Sequence, residues 1–168
     1  MKNDTKKMKW ILTFVNVCYY INILALVTEI IGAIVLLLIS VTGMDSFNKF
    51  VTDLGASVQN TNLGLLGMVF FLAACLQTFL LLLLLRMIRA FLRNVIEDAI
   101  FTWDNVRLAK KTSLYLFLLS FLGSGLLFGA GGIFILNTGY LFASLLVWVI
   151  AKVLEKAVAI AEENEFTI

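Results

Sequence analysis

The chain has 168 residues, of which 61% are hydrophobic and 14% charged, and it contains neither proline nor histidine. A soluble domain carries about a quarter charged residues, so this composition excludes an ordinary soluble domain and favours a single small membrane domain. The net charge of +2 is too small to indicate nucleic acid as a direct partner.

Two apolar stretches in the first half are long enough to cross a bilayer. Trp10–Ile39 has Glu29 as its only charge, and Leu63–Leu85 has none. Both exceed the roughly 18 residues that a spanning helix needs, and the first is too long for a signal peptide, so we expect an uncleaved anchor. Two interpretations of its start remain open. Either residues 8–19 lie in the membrane interface and 20–40 cross, or one tilted helix crosses.

The second half begins with a long uncharged stretch, Thr112–Ala151. A helix of this length covers about 60 Å, or two bilayer crossings, which predicts a transmembrane hairpin. Gly131 and Gly132 fall midway and indicate the turn, while Gly125 and Gly129 are spaced for helix packing. No Lys-Ser/Thr pair of a phosphate-binding loop accompanies these glycines.

The basic residues predict the orientation. Twelve of the thirteen precede span one, lie between spans two and three, or follow span four, which by the positive-inside rule places both termini in the cytoplasm. The predicted fold is therefore an all-α integral membrane four-helix bundle. It forms one transmembrane domain over 1–168, with spans 18–40, 63–85, 112–133 and 138–157, an outer loop 41–62, a cytoplasmic segment 86–111 and a cytoplasmic tail 158–168.

Helical patterns also occur outside the spans. Apolar residues between Met44 and Val58 recur at three and four, which predicts a short amphipathic helix on the outer surface. A second apolar stripe, from Ile88 to Ala99, predicts a cytoplasmic amphipathic helix between spans two and three. Thr102 is then placed to cap a new helix that runs into span three.

Glu29 is the main candidate for an intramembrane polar site, together with Asn22, Gln77 and Thr78. An ionisable group within a span is costly and indicates either a proton- or cation-linked site or an interhelical hydrogen bond. For the bond, Gln77 or Thr78 is the expected partner. Gln77 lies about 12 Å deep, a depth that Glu29 reaches only if span one begins near Tyr20.

Catalytic chemistry is not indicated. Without histidine, a metal-ligand cluster or a nucleophile–base pair, we expect no enzyme, no metal site and no cofactor. Cys18 and Cys75 lie in apolar helices, where inert packing is the expected role.

Two cytoplasmic segments resemble a known family. Residues 100–108, Ile-Phe-Thr-Trp-Asp-Asn-Val-Arg-Leu, are similar to a Pro-Phe-Ser-x-x-Asn pattern, and residues 161–168, Ala-Glu-Glu-Asn-Glu-Phe-Thr-Ile, to an acidic Glu-Asn-x-Leu-Thr-Ile tail. Both patterns belong to the YoaS-like family of bacterial four-span membrane proteins (domain of unknown function 2975). Such proteins are often encoded beside a small Cro/CI-type helix-turn-helix regulator, so the resemblance implies a membrane partner of a transcription factor.

The tail has the chemistry for docking, because acidic residues flank apolar ones. It could bind a basic protein, end as a solvated helix, or be tied to the cytoplasmic helix. The candidate docking residues are Glu162, Glu163, Glu165, Phe166, Ile168, Arg89 and Arg93.

We therefore expect a multi-pass protein of the bacterial cytoplasmic membrane that binds and regulates a cytoplasmic partner such as a helix-turn-helix regulator. The alternative is a small transporter or channel with Glu29 in its path. The expected partners are the lipid bilayer, the regulator and, for the transporter above all, further copies of the chain.

Overall fold

The computed structural model describes residues 2–42, 63–122 and 136–165, which form four helices and, within these ranges, no strand. The helices are α1 (Lys2–Thr42), α2 (Leu63–Ile96), α3 (Trp103–Leu122) and α4 (Thr138–Glu165). The predicted all-α fold is confirmed. The predicted outer-surface helix and the glycine turn of the hairpin lie outside the described residues.

α1 is one unbroken helix of 41 residues, about 60 Å long. Both interpretations of span one therefore place their residues on one continuous helix. One row of its half-buried residues alternates at four and three, the spacing of a coiled-coil seam. The row consists of Met8, Leu12, Val15, Tyr19, Asn22, Leu26, Glu29, Ala33 and Leu36. This seam faces α2, and the polar set that includes Asn22 and Glu29 lies on it.

α2 is also unbroken, with 34 residues. The amphipathic helix predicted after Arg86 is the last part of α2 and not a separate element, because nothing at the charged boundary breaks a helix: Arg and Met are good helix formers. Its apolar stripe is used for packing. Phe91 lies against a buried cluster of Val106, Leu154 and Val158, and Ile88 against the cluster that contains Leu119.

The end of α2 is closed by backbone hydrogen bonds in a Schellman arrangement. Ala99 N donates to Asn94 O at 2.8 Å and Asp98 N donates to Val95 O at 3.3 Å. Asp98 has a φ of 59°, the left-handed conformation that such an ending requires. Four residues later Thr102 caps α3, as predicted, with its Oγ1 accepting from Asn105 N at 3.4 Å. The chain thus reverses direction within residues 97–102.

α3 and α4 approach closely through small side chains. Ser113 Oγ donates to Ser144 O, and Ser144 Oγ donates to Ser113 O, both at 3.0 Å and both buried. Ala151 and Ser120, on the same seam, have no exposed surface. Small residues that let backbones approach and hydroxyls that bond across helices are typical of membrane helix pairs.

The extensive helix contacts are α1 with α2, α2 with α3, and α3 with α4. α2, α3 and α4 share a core around Leu80, Leu84, Leu116 and Leu119, and α1 lies outside it on α2. Within the described residues, two helices are long and apolar enough to cross a membrane, over Thr5–Ile39 and Phe71–Ile96. α1 leaves most of its large apolar side chains exposed, whereas on α2 most are partly buried and Leu72, Leu76 and Phe79 are exposed.

Candidate functional site

The segment that resembles the family pattern is organised by one asparagine. Asn105 is fully buried, and its Nδ2 donates to Ala99 O at 2.7 Å and to Ile100 O at 2.8 Å. Its Oδ1 accepts a hydrogen bond from Asn94 Nδ2 at 2.6 Å. The amide therefore uses both donors and its acceptor to join the end of α2, the turn and the start of α3. This network gives a structural role to the asparagine that ends the Pro-Phe-Ser-x-x-Asn pattern.

The tail lies against the same segment. Trp103 Nε1, in the first turn of α3, donates to Glu162 Oε1 near the end of α4 at 2.6 Å. Seven residues along, Lys110 Nζ meets Glu155 Oε1 at 2.7 Å, and Lys152 Nζ meets Glu155 Oε2 at 3.0 Å. These side-chain contacts join the last turns of α4 to the start of α3.

Glu155 lies beyond Ala151, the last residue of the uncharged stretch. Hydrogen bonds from Lys110 and Lys152 hold the pKa of its carboxyl below its usual range. The carboxylate therefore stays ionised at neutral pH between two ammonium groups, and any stabilisation from this group is lost as the pH falls through its lowered pKa. All three side chains are partly exposed, so the net contribution to folding is small.

We call the end of the molecule formed by residues 86–111 and 152–165 the motif end. Its charges are layered along α2, α3 and α4. The basic residues come first on α2 and α4 and last on α3, so the acidic residues other than Glu155 lie further out than the basic ones, at the end of the molecule where the lysines of α1 also lie. The basic layer contains Arg86, Arg89, Arg93, Arg107, Lys110, Lys111, Lys152 and Lys156, and the acidic layer contains Glu97, Asp98, Asp104, Glu162, Glu163 and Glu165.

Two aromatic side chains are exposed within the acidic layer. Phe101 is 61% and Trp103 40% exposed, and both belong to the segment that Asn105 holds in place. Exposed aromatic rings among like charges are unusual for a purely solvated surface, and aromatic residues are enriched where proteins bind one another. The motif end therefore presents two exposed aromatic side chains, held in place by Asn105, among acidic side chains.

Glu29 lies in the seam between α1 and α2. Thr78 Oγ1, on α2, donates to Glu29 Oε1 at 2.9 Å. Glu29 Oε2 is buried and has no hydrogen-bond partner among the described residues. One turn away, a methyl group at Gly32 would lie 2.6 Å from Cε1 of Phe71, so the glycine lets that ring pack against α1. The hydrogen bond between Thr78 and Glu29 places these two residues at the same depth along the paired helices.

The other predicted polar residues, Asn22 and Gln77, do not take part in the hydrogen bond between Glu29 and Thr78. Asn22 Nδ2 donates to Cys18 O of its own helix at 2.8 Å, and Gln77 is half-buried. Arg89 stacks on the ring of Tyr19, with Cζ 4.5 Å from the ring centroid. The guanidinium of Arg89 therefore contacts α1.

The remaining docking candidates lie at the end of α4 or beyond the described residues. Glu163 is exposed, and Glu165 is the last residue of α4. Arg93 is exposed on α2. Phe166 and Ile168 of the tail, and Gly125 and Gly129 of the hairpin, fall outside the described residues.

Sequence reasoning missed two partners in this region. Asn94 and Trp103 were not among the predicted site residues, yet they bind the asparagine and the tail glutamate. Asn94 did carry a signal, because an amide within an otherwise apolar and basic helix turn needs a partner when it is buried.

A protein-family model described as "Protein of unknown function (DUF2975)" matches residues 1–168. No curated protein and no solved structure matched the chain.

Proposed function

The chain belongs to the DUF2975 family over residues 1–168, and from that premise we propose a membrane-anchored protein whose motif end binds a basic soluble partner in the bacterial cytoplasm. The match confirms the family predicted from residues 100–108 and 161–168. The family brings no assigned activity, so the proposal rests on the residues of this chain.

The proposed topology has the four predicted spans, with both termini and the motif end in the cytoplasm. Three observations support it. Two helices are long and apolar enough to cross. α1 exposes most of its large apolar side chains, which a soluble protein rarely does. The basic layer of the motif end marks an inner membrane surface by the positive-inside rule. In this topology span four ends at Ala151, before the predicted end at residue 157, because Lys152, Glu155 and Lys156 belong to the motif end.

The functional proposal rests on the order of basic and acidic residues at the motif end. The basic layer is next to the lipid headgroups, while the acidic layer of α2, α3 and α4 projects further from the membrane than the basic layer. On these three helices a soluble partner therefore meets acidic residues before basic ones, together with Phe101 and Trp103. Such a surface attracts a basic protein through electrostatic complementarity and offers aromatic anchors once it has docked. A small helix-turn-helix regulator, which must be basic to bind DNA phosphates, has the required chemistry.

The test uses membrane vesicles that carry the full chain and a purified Cro/CI-type helix-turn-helix protein, the class of regulator that the family resemblance implies. We expect binding to inside-out vesicles and none to right-side-out vesicles. Replacing Glu162 and Glu163 by glutamine should weaken binding about tenfold, because the acidic layer loses charge while the new amide oxygen at position 162 can still accept from Trp103. Rising salt should weaken binding as well.

Glu155→Gln is the control, since it makes the same Glu-to-Gln change at one position of the same helix, about 10 Å nearer the membrane than Glu162. It should leave binding within about twofold, because about one Debye length at physiological salt separates Glu155 from a partner docked at Glu162. Binding that is absent from inside-out vesicles, or that responds equally to both variants, would contradict the proposal.

We further propose that Glu29 is a structural anchor between α1 and α2 and not a transport site, because Thr78 already occupies one carboxyl oxygen in the seam. A double-mutant cycle with Glu29→Leu and Thr78→Val should give a coupling of about 0.6 kcal/mol in detergent unfolding, as is usual between membrane helices. Proton or cation flux in liposomes that is lost with Glu29→Gln would show instead that Glu29 lies in a permeation path.

A further inference from the structure

Three arginines near the end of α2 carry charge that the described fold does not balance. Arg86, Arg89 and Arg93 follow one another at three and four residues and therefore share one face of the helix. None of the three pairs with a carboxylate among the described residues, whereas Glu155 pairs with two lysines of the basic layer and Asp104 with an arginine. Like charges at these spacings repel one another, so an anion from outside the described fold would stabilise this face.

The arginine face borders α1. Cζ of Arg89 lies 4.5 Å from the ring centroid of Tyr19 and 6.0 Å from that of Tyr20. Because α1 and α2 run antiparallel, the turn after Arg89 on α2 is level with the turn before Tyr20 on α1. Those two turns carry Arg93 and Asn16. The groove between α1 and α2 therefore places an amide at the level of the arginines.

Asn16 has a polar atom that the described fold leaves without a partner. Its Oδ1 is buried and makes no hydrogen bond with the described residues. A buried amide oxygen without a donor costs free energy, so a ligand that supplies a donor gains from binding there. The side chain as a whole is half-buried, and its amide can be reached from the groove. The groove thus calls for a ligand with both an anionic group and a hydrogen-bond donor.

The anionic group that fits this face best is a phosphate. All three cations are arginines, whose planar fork of N–H donors binds phosphate oxygens in pairs, which a lysine cannot do. Arg86 and Arg93 are exposed. Arg89 lies over the Tyr19 ring with the face of its guanidinium, so the N–H groups at its edge remain available to a ligand.

In the proposed topology the groove lies among the lipid headgroups. Arg86 follows the last uncharged residue of span two, and Arg89 and Arg93 lie about 4.5 Å and 10.5 Å further along the helix. Headgroups occupy about 5–8 Å on each side of the hydrocarbon. Side chains of a helix lean toward its N-terminus, which for α2 is toward the membrane, so Arg93 reaches back into this layer. Because α1 lies outside the core of the other three helices, the groove opens to the surrounding lipid.

We propose that the groove between α1 and α2 binds the headgroup of an anionic phospholipid, with its phosphate on Arg86, Arg89 and Arg93 and a headgroup hydroxyl on Asn16. Phosphatidylglycerol has both groups, because its glycerol hydroxyls lie beside the phosphate. The bound lipid neutralises the arginine face and joins α1 to α2. The inference rests on the proposed topology but not on the proposed soluble partner.

Binding of phosphatidylglycerol to the full chain in detergent, measured by native mass spectrometry, tests this site. Arg86→Gln with Arg93→Gln removes two exposed cations that form no ion pair with the described residues, so the fold should be kept. We expect this variant to bind the lipid about tenfold more weakly. The matched control, Lys152→Gln with Lys156→Gln, removes the same charge from the basic layer on α4. It should stay within about twofold, because exposed charges away from the groove are largely screened.

Further variants and ligands test the geometry of the site. Arg86→Lys with Arg93→Lys keeps the charge but loses the fork of donors, and should weaken binding about threefold. Asn16→Leu should weaken it about fivefold, through the loss of one hydrogen bond. Phosphatidylcholine, which has no net charge and no headgroup hydroxyl, should bind about tenfold more weakly than phosphatidylglycerol.

Three outcomes would overturn the proposal. They are equal weakening by the two glutamine pairs, equal binding of the two lipids, and displacement of the lipid by an equal concentration of inorganic phosphate, which would show a site for small anions. If the lipid fails to bind while inside-out vesicles still bind the soluble partner, the lipid site alone is rejected.

Discussion

Asn105→Ala is expected to lower the free energy of unfolding by about 3 kcal/mol. The side chain is fully buried and makes three hydrogen bonds, to Ala99 O, to Ile100 O and from Asn94 Nδ2. Alanine leaves the Ala99 carbonyl and the Asn94 amide without this partner, while Ile100 O keeps its bond from Thr102 N at 3.1 Å. Each unsatisfied buried group costs about 1–3 kcal/mol. The sum is reduced where water enters the space that the amide leaves.

Thermal or denaturant unfolding of the full chain in detergent measures this loss. Asp104→Ala is the matched control, because the neighbouring side chain is exposed and makes only a weak pair with Arg107 at 3.5 Å. Its effect should stay within about 0.5 kcal/mol. Asn105→Asp should destabilise nearly as much as alanine, since a carboxylate cannot donate to the two carbonyls. If alanine and the control have equal effects, Asn105 does not hold the turn together.

Ser144→Leu is expected to separate α3 from α4 and to destabilise the protein by about 3 kcal/mol. Each serine hydroxyl of the Ser113–Ser144 pair reaches the backbone of the opposite helix, so the helices are too close for a larger side chain. Overpacking costs about 1–3 kcal/mol, and the lost interhelical bonds add about 0.6 kcal/mol each. Separation also moves Glu162 away from Trp103.

Ser144→Ala separates the two contributions, because it removes the hydroxyl without adding volume. It should cost about 1 kcal/mol and leave the tail in place. With Trp10 and Trp148 replaced by phenylalanine, the emission of Trp103 reports the second effect, since Trp103 is released only by the leucine variant. Should leucine prove no worse than alanine, the close approach of α3 and α4 does not depend on small residues.

The sequence predicts the helices well because their signals are local. Hydropathy, the charge at Arg86 and the cap at Thr102 each depend on neighbours a few residues away. It predicts the seams poorly, because Ser113 and Ser144, or Asn94 and Asn105, become partners only after the helices pack. Gln77 and Thr78 are both expected partners of Glu29 from the sequence, and only the way in which α1 and α2 face each other selects Thr78.

The difference in α2 has the same origin. Arg86 ends an apolar stretch, which predicts where the membrane ends, but a helix continues through a charge as long as its backbone bonds are made. The membrane boundary and the helix boundary are therefore separate properties. Residues 86–96 belong to the membrane surface by charge and to α2 by geometry.

The unbroken course of α2 has a mechanical consequence. Asn94 lies about 46 Å along the helix from Leu63, so a tilt of about 5° at the far end displaces Asn94 by about 4 Å. That displacement exceeds the reach of its hydrogen bond to Asn105 unless α3 moves with it. Helix tilt responds to bilayer thickness. A thinner or thicker membrane would then displace Asn105, and through Trp103 also Glu162 near the end of α4.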